Sequence, residues 1–202
     1  MLLVVCGPEA RGEYDRGVGR MFHSNTDRLI DYWHVCRGVD ALPMRTAINP
    51  GDFADLLPQI FILGRDAPGR YRYRLSGGFV ANLHGRELRG QQGLPLWARA
   101  DRARVQASLE LCRHAADPIV IKAEVVGAES EPFPMEVFFA PLANPEGDVD
   151  RYLGLYQPTG VVRRLEEGVH RELSVWNVLS TASSSELEPR LRLAVINGRQ
   201  IA

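Results

Sequence analysis

Three arginines, Arg70, Arg72 and Arg74, alternate with tyrosines and form the pattern in this sequence best suited to bind an anion. Paired arginine side chains can chelate phosphate groups and stack on guanine. A cyclic-dinucleotide receptor is therefore one alternative function. Such receptors also need a downstream Asp/Asn-x-Ser-x-x-Gly element, and Asn82-Leu83-His84 has histidine where the serine belongs. Because alternate residues of a strand share one face, we favour a solvated or partner-facing basic row.

Sequence patterns for catalysis and metal binding are missing. Neither Gly-x-Ser-x-Gly nor the phosphate-binding Gly-x4-Gly-Lys-Ser/Thr occurs, and Lys122 is the only lysine. The cysteines, Cys6, Cys36 and Cys112, match no zinc spacing. We therefore predict no catalytic residues and no metal site. A small α+β enzyme, which would need a buried carboxylate or histidine in a pocket, is the least favoured alternative.

Composition narrows the classes further. The chain has 202 residues and a formal net charge of −1, so it lacks the basic excess of a dedicated nucleic-acid-binding protein. No apolar run approaches the ~20 residues needed to span a bilayer, so we expect no membrane insertion. Unclustered cysteines fit a reducing compartment, and we predict a cytoplasmic protein.

Hydrophobic periodicity predicts an α+β fold with about five antiparallel strands and helices on one face of the sheet. A helical stripe begins at Ser24, and Asn49-Pro50 has the residue types that start a second, short helix. The alternating segment Phe61–Leu75 indicates a hairpin. The later elements are a helix over Trp97–His114 and strands over Ile119–Val126, Met135–Phe139 and Tyr152–Tyr156.

The end of the chain carries a second helical pattern. Leu165, Val169, Leu173 and Trp176 recur at helical spacing among charged residues, and this stripe is a candidate interface. Packing of the same stripe on the chain's own sheet is an equally favoured alternative. We therefore expect a leader over residues 1–23, a domain over residues 24–162 and a C-terminal helical extension over residues 163–202.

This order of elements resembles that of a PAS domain. In that family the second strand leads through helical turns to a glycine, an acidic residue, an aliphatic residue and a second glycine. Phe79–Gly90 is similar to that segment, with Gly85, Glu87, Leu88 and Gly90 in this order. Asp101-Arg102 is similar to the start of the family's long helix.

The flanking sequence resembles a narrower, stand-alone PAS-like group from alphaproteobacteria, which includes the polarity and cell-cycle modulator MopJ. The resemblance covers about residues 24–165. The residues that carry it are Trp33, Leu42-Pro43-Met44-Arg45, Asn49-Pro50, Leu57-Pro58, Tyr73-Arg74-Leu75-Ser76-Gly77 and Leu88-Arg89-Gly90.

The resemblance implies a space between the sheet and the long helix that could hold a small apolar ligand. A closed core without a ligand is the favoured alternative. The candidate lining residues are Tyr73, Leu75, Trp97, Val105, Leu109, Phe139 and Leu155.

Cofactors are not expected from the residues present. Some PAS domains bind haem through a histidine, for which His84 and His114 are the weak candidates here. Light-sensing members need a reactive cysteine just after the asparagine motif, and Asn82–Glu87 contains none. We therefore predict no cofactor, and in particular no flavin adduct.

The function that the resemblance implies is regulation through protein–protein interaction in bacterial signal transduction, with cell-cycle or polarity control as its setting. We expect protein partners, self-association as a homodimer and, by analogy with the group, recruitment to a cell pole.

Overall fold

A computed structural model describes residues 21–38, 42–127, 130–162, 165 and 169–181 of the chain. The predicted leader therefore lies almost entirely outside the described residues, as does most of the predicted tail. The α-helices are α1 (Ser24–Arg37), α2 (Gly78–Leu83) and α3 (Arg102–Ala115), and 3-10 helices span Arg45–Ala47, Pro50–Gln59 and Leu94–Leu96. The strands are β1 (Ile60–Ala67), β2 (Arg70–Ser76), β3 (Ile119–Gly127), β4 (Ser130–Ala143), β5 (Val149–Pro158) and β6 (Arg171–Ser180).

The strands form one antiparallel sheet in the order β2-β1-β5-β4-β3-β6. The predicted α+β fold is confirmed, with six strands where about five were predicted. The additional strand is β6, which pairs along β3 from Arg171 opposite Gly127 to Ser180 opposite Ile119. The prediction of a helix in this part of the tail is wrong. A strand suits the apolar residues of this segment better than a helix, because β6 buries Leu173 and Val178 against the core.

Helices cover both faces of the sheet, whereas the sequence predicted one covered face. On the inner face, Val105 and Leu109 of α3 pack with Phe139 of β4. On the outer face, Trp33 of α1 packs with Phe138, the neighbouring residue of β4. Because adjacent residues of a strand point to opposite faces, β4 buries both sides, and its sequence alternates only weakly for that reason.

The outer helices begin and end at the residue types that physical chemistry favours. The Asn49 side chain accepts a hydrogen bond from the Gly51 N–H at 3.1 Å and so caps the 3-10 helix Pro50–Gln59. Helix α1 ends at Gly38, whose φ of +56° suits glycine. The Trp33 indole N–H then donates to the Pro141 carbonyl at 2.9 Å and fixes α1 to β4. In the part of the chain that the structure describes, no helix is long and apolar enough to cross a membrane.

Candidate functional site

A buried chain of polar groups crosses the inner face of the sheet. Tyr73 of β2 and Tyr156 of β5 place their hydroxyl oxygens 3.0 Å apart. The Tyr156 hydroxyl also lies 3.3 Å from Nε2 of His84, the residue that follows α2. On the other side of the ring, His84 Nδ1 lies 2.9 Å from the carbonyl oxygen of Arg171, the first residue of β6. We call Tyr73, Tyr156 and His84 the inner polar cluster.

The carbonyl of Arg171 fixes the direction of the hydrogen bonds in this cluster. A carbonyl oxygen can only accept, so His84 Nδ1 carries the proton and donates it. In a neutral imidazole Nε2 is then an acceptor, and the Tyr156 hydroxyl donates to it. Tyr73 in turn donates to Tyr156. Every hydroxyl and ring nitrogen of the cluster is thereby hydrogen-bonded, as buried polar groups require.

Burial keeps the inner polar cluster uncharged. Desolvation lowers the pKa of His84 to about 4, outweighing the hydrogen bond to Arg171, and the positive charges of Arg86, Arg171 and His170 lower it further. Burial likewise raises the pKa of both Tyr73 and Tyr156 above the usual value for tyrosine. At neutral pH His84 is therefore the uncharged tautomer described above.

Aromatic rings fill the space around this cluster. The Phe61 ring centroid lies 5.2 Å from that of Tyr156, 5.5 Å from that of Tyr73 and 5.4 Å from that of Phe139. Gly154 lies under the Phe61 ring, and a Cβ there would overlap the ring atoms. These contacts make the centre of the inner face a packed aromatic layer.

Five of the predicted lining residues lie together in this inner core, and two do not. Leu75 is 48% exposed, because the shift in register between Ile62 and Leu63 pairs it with Ile62 and removes it from the face of Tyr73. Leu155 is buried on the outer face with α1, since strict alternation along β5 turns it away from Tyr156. The five that meet in the inner core are Tyr73, Trp97, Val105, Leu109 and Phe139.

The four predicted interface residues do not form one stripe. Leu165 is half-buried against the inner core, and Val169 is half-buried. Leu173 is fully buried, whereas Trp176 is 56% exposed. The physical reason is that Leu173 and Trp176 lie on a strand, with Trp176 at the shift in register between β3 and β6.

The first half of β6 has its outward hydrogen-bonding groups occupied. The Ala98 N–H donates to the Leu173 carbonyl at 2.8 Å. The Asp101 carboxylate accepts from the Val175 N–H at 2.9 Å and from the Ser174 hydroxyl at 3.2 Å. Together with His84 at Arg171, these contacts connect β6 to the segment before α3 and to the end of α2.

A second polar cluster fixes α3 to the opposite edge of the sheet. The Glu110 carboxylate accepts from the Tyr71 hydroxyl at 2.5 Å, from Arg65 Nε at 2.9 Å and from Arg113 Nε at 3.0 Å. Partial burial would raise the pKa of Glu110, but these hydrogen bonds outweigh it and lower the pKa to about 2. Sequence reasoning missed this cluster, although Tyr71 on the inward face of an alternating strand is a signal for it.

The remaining predicted candidates lie apart. His114 is exposed at the end of α3, beside Arg113. Arg70 and Arg74 are exposed on β2, whereas His84 is 1% exposed on the inner side of the sheet. The residues considered for a cyclic-dinucleotide site therefore do not converge. Tyr156 and Phe61 were not predicted; the signal for Tyr156 was the alternation of aromatic residues along β5.

Comparison with known proteins connects the fold to one family. Residues 21–157 match the family model described as PAS domain. No curated protein matches the chain. Several solved structures are similar to it, all at low sequence identity.

Three of the similar structures are light-oxygen-voltage proteins. An RNA-binding light-oxygen-voltage receptor is 17% identical, with a TM-score of 0.42 over 57% of this chain, which corresponds to only 34% of the receptor. The Rhodobacter sphaeroides LOV protein is 15% identical, with a TM-score of 0.42 over 56% of this chain and 69% of its own. A light-oxygen-voltage domain described with a flavin analogue is 17% identical, with a TM-score of 0.41 over 55% of this chain and 83% of its own.

The prediction of no cofactor, and of no flavin adduct in particular, is corrected by these neighbours. These three structures are light-oxygen-voltage proteins, and one is described with a flavin analogue. In the structure of this chain the rings of Phe61, Tyr73 and Tyr156 occupy the centre of the inner face, so a flavin-sized ring would require them to move. The cysteines among the described residues are Cys36, half-buried on α1, and Cys112, buried on α3.

Proposed function

The chain belongs to the PAS domain family, and on that premise we propose that it is a signal-responsive regulatory domain that acts through protein–protein contact. PAS domains are typically sensory or regulatory and generally not catalytic. In this proposal the inner polar cluster responds to the signal, and β6 delivers the response to a partner. The partner to which we commit is a second copy of the chain.

The observation that carries the proposal is the hydrogen bond from His84 to the Arg171 carbonyl at 2.9 Å. It joins the centre of the inner face to the first residue of β6. A change at the cluster, such as ligand entry or a rearrangement of Tyr156, alters the hydrogen bond that Nε2 accepts and with it the orientation of the ring. Because the same ring holds Arg171, the start of β6 changes with it.

The exposed side chain of Trp176 supports an output at the other half of β6. Large aromatic side chains are enriched at the centres of protein interfaces, and the Trp176 indole is 56% exposed. The first half of β6 has its outward groups occupied by Ala98 and Asp101, so a partner would meet the strand near Trp176. The formal net charge of −1 places little repulsion between two copies.

Hydrogen–deuterium exchange tests the coupling between the cluster and β6. His84→Phe keeps an aromatic ring at this position and removes both hydrogen bonds. We expect faster exchange in residues 171–175 and in α2, with β1 and β2 unchanged. Tyr152→Phe is the matched control, because the Tyr152 hydroxyl donates to the Leu109 carbonyl at 3.0 Å on the same face, and two strands separate β5 from β6 in the sheet. Equal acceleration in both variants, or none in β6, would refute the coupling.

Sedimentation velocity tests the output separately. Trp176→Lys should weaken self-association, since it places a charge where we propose the second copy packs. Leu111→Lys, which changes a 45% exposed residue on α3, should not. A wild-type chain that stays monomeric up to about 100 µM, or loses association equally in both variants, sinks the proposal of a second copy as partner.

The signal itself is identified by what the protein retains. Native mass spectrometry combined with absorbance on freshly purified protein would reveal a bound small apolar ligand, haem or flavin. A retained compound that is lost on Phe61→Trp, which crowds the inner face, supports sensing at the cluster. A compound that survives this change lies elsewhere and contradicts it.

A cytoplasmic role in cell-cycle or polarity control, with recruitment to a cell pole, rests on the sequence resemblance alone. A fluorescent fusion provides the measurement. A polar focus that disperses with Trp176→Lys is the expected result, and a diffuse signal throughout the cell cycle contradicts this part of the proposal.

A further inference from the structure

A basic depression lies at the β2 edge of the sheet. Its volume is about 370 Å³. The Arg74 side chain lies across Gly64 of β1, where a Cβ would collide with it. Arg151 of β5 pairs with Gly64 from the other side. The depression is lined by Arg45, Tyr73, Arg74, Arg89, Gly90 and Arg151.

Four separate segments bring these arginines together, and their backbones are held in place. The Ala143 N–H donates to the Pro43 carbonyl at 3.0 Å, which holds the segment before Arg45 against β4. The Gly90 N–H donates to the Tyr73 carbonyl at 2.7 Å, which holds the segment carrying Arg89 along β2. Gly90 has a φ of +80°, a conformation that a residue with a side chain rarely adopts. The site is therefore built from fixed elements and does not depend on one loop.

Positive charge in the depression exceeds its neutralisation. Arg74 forms an ion pair with Asp66, and Arg151 forms one with Asp150 at 3.4 Å. Asp66 is shared, because Arg72 also pairs with it at 2.9 Å. Across the described ranges of the chain, the guanidinium groups of Arg45 and Arg89 have no carboxylate partner. Arg45 and Arg89, together with the partly neutralised Arg74 and Arg151, leave an excess of positive charge around one concave surface, and an anion between them would neutralise it.

We propose that this depression binds an anion carrying two linked phosphate groups. A guanidinium offers a planar fork of donors that matches two oxygens of one phosphate, so four arginines from four segments can engage two phosphates from several directions. The volume lies at the lower end of the range of about 300–1,000 Å³ typical of small-molecule sites. Two linked phosphate groups are present both in free diphosphate and in a nucleoside diphosphate, so the two ligands share this chemistry.

Isothermal titration calorimetry at low ionic strength tests the proposal, with pyrophosphate, orthophosphate and ADP as separate probes. Arg45→Gln and Arg89→Gln each remove one unpaired charge and leave the fold contacts in place. Arg70→Gln is the matched control. Arg70 is an exposed arginine on β2, the strand that carries Arg74, and it lies outside the depression. We expect pyrophosphate to bind the wild type, each depression variant to bind about tenfold more weakly and the control to bind within about twofold.

The outcomes separate cleanly. Pyrophosphate that binds more tightly than orthophosphate and weakens with added salt supports the site. Tighter binding of ADP then assigns a nucleoside diphosphate, and equal binding assigns free diphosphate. Absence of wild-type binding at millimolar probe, orthophosphate binding as tightly as pyrophosphate, or an Arg70→Gln loss as large as that of Arg89→Gln overturns the proposal.

Discussion

The inner polar cluster and the arginine depression both include Tyr73 of β2, yet they differ in how their polar and charged groups are satisfied. At His84, Tyr73 and Tyr156 every polar group finds a partner within the chain, and burial excludes charge. At Arg45 and Arg89 charge accumulates without a partner within the described chain. A network whose hydrogen bonds are all made within the chain transmits changes inside the protein, whereas a charged site without such partners needs a ligand from outside. The two sites therefore differ in what they do to stability.

The largest difference should be seen when side chains are truncated. Phe61→Ala removes the ring that packs on Tyr73, Tyr156 and Phe139, and we expect the free energy of unfolding to fall by about 3–5 kcal/mol. Arg45→Ala at the depression should change it by no more than about 0.5 kcal/mol. Urea denaturation followed by circular dichroism measures both. Losses of similar size would break the comparison.

The effect of acid on the free energy of unfolding should be intermediate in size, and it distinguishes the two sites further. The pKa of His84 is about 4 in the folded protein and 6.5 as the ordinary value, so the unfolded chain takes up the proton first. Stability falls as pH drops through 6.5 and the loss is complete below about 4, amounting to about 3 kcal/mol. Glu110, with its pKa lowered to about 2 from 4.5, adds a separate loss between those values.

His84→Gln identifies the histidine contribution to this acid loss. Glutamine keeps an amide donor and acceptor but does not titrate, so the stability of the variant should be flat between pH 6.5 and 5, apart from contributions of other groups common to both proteins. Thermal unfolding across this range measures the difference. Parallel curves for wild type and variant would show that the acid sensitivity does not arise from the burial of His84.

The smallest expected effect is a coupling between hydroxyls. Tyr73→Phe and Tyr156→Phe should each cost about 1 kcal/mol, and the double variant should cost less than their sum by about 0.5–1 kcal/mol, since one hydrogen bond is counted twice. The pair Arg45→Gln and Arg89→Gln should instead leave stability unchanged or raise it by a few tenths of a kcal/mol, because each removes repulsion. Additive tyrosine costs would show that the two hydroxyls are not coupled.

The sequence predicted the fold well where local pattern and tertiary packing agree. The capping residue Asn49 and the alternation of β2 are local signals, and each marks the element it predicted. The end of the chain failed because Leu173 and Trp176 fit a helical stripe and a strand equally well over so short a segment. Pairing along β3, a contact between residues distant in sequence, decides for the strand.

The candidate sites were predictable only in part, for the same reason. Five lining residues could be named from their apolar positions. The prediction for Leu75 was wrong, because a shift in register that no local pattern reveals moves it off the inner face. His84 was considered alone, and its role depends on Tyr156 and Arg171, which lie 72 and 87 positions away along the chain. The arginine depression forms only where four segments meet, so of its four arginines only Arg74 was considered for anion binding from the sequence.

The three tryptophans of the chain differ sharply in exposure: Trp33 and Trp97 are 0% and 2% exposed, and Trp176 is 56% exposed. The protein therefore carries an intrinsic optical label on β6. An aqueous quencher such as iodide reaches the Trp176 indole while the emission of the two shielded indoles persists. The quenchable fraction of the fluorescence reports the state of this strand in real time, without any added dye or tag, as ligand, partner or pH is varied.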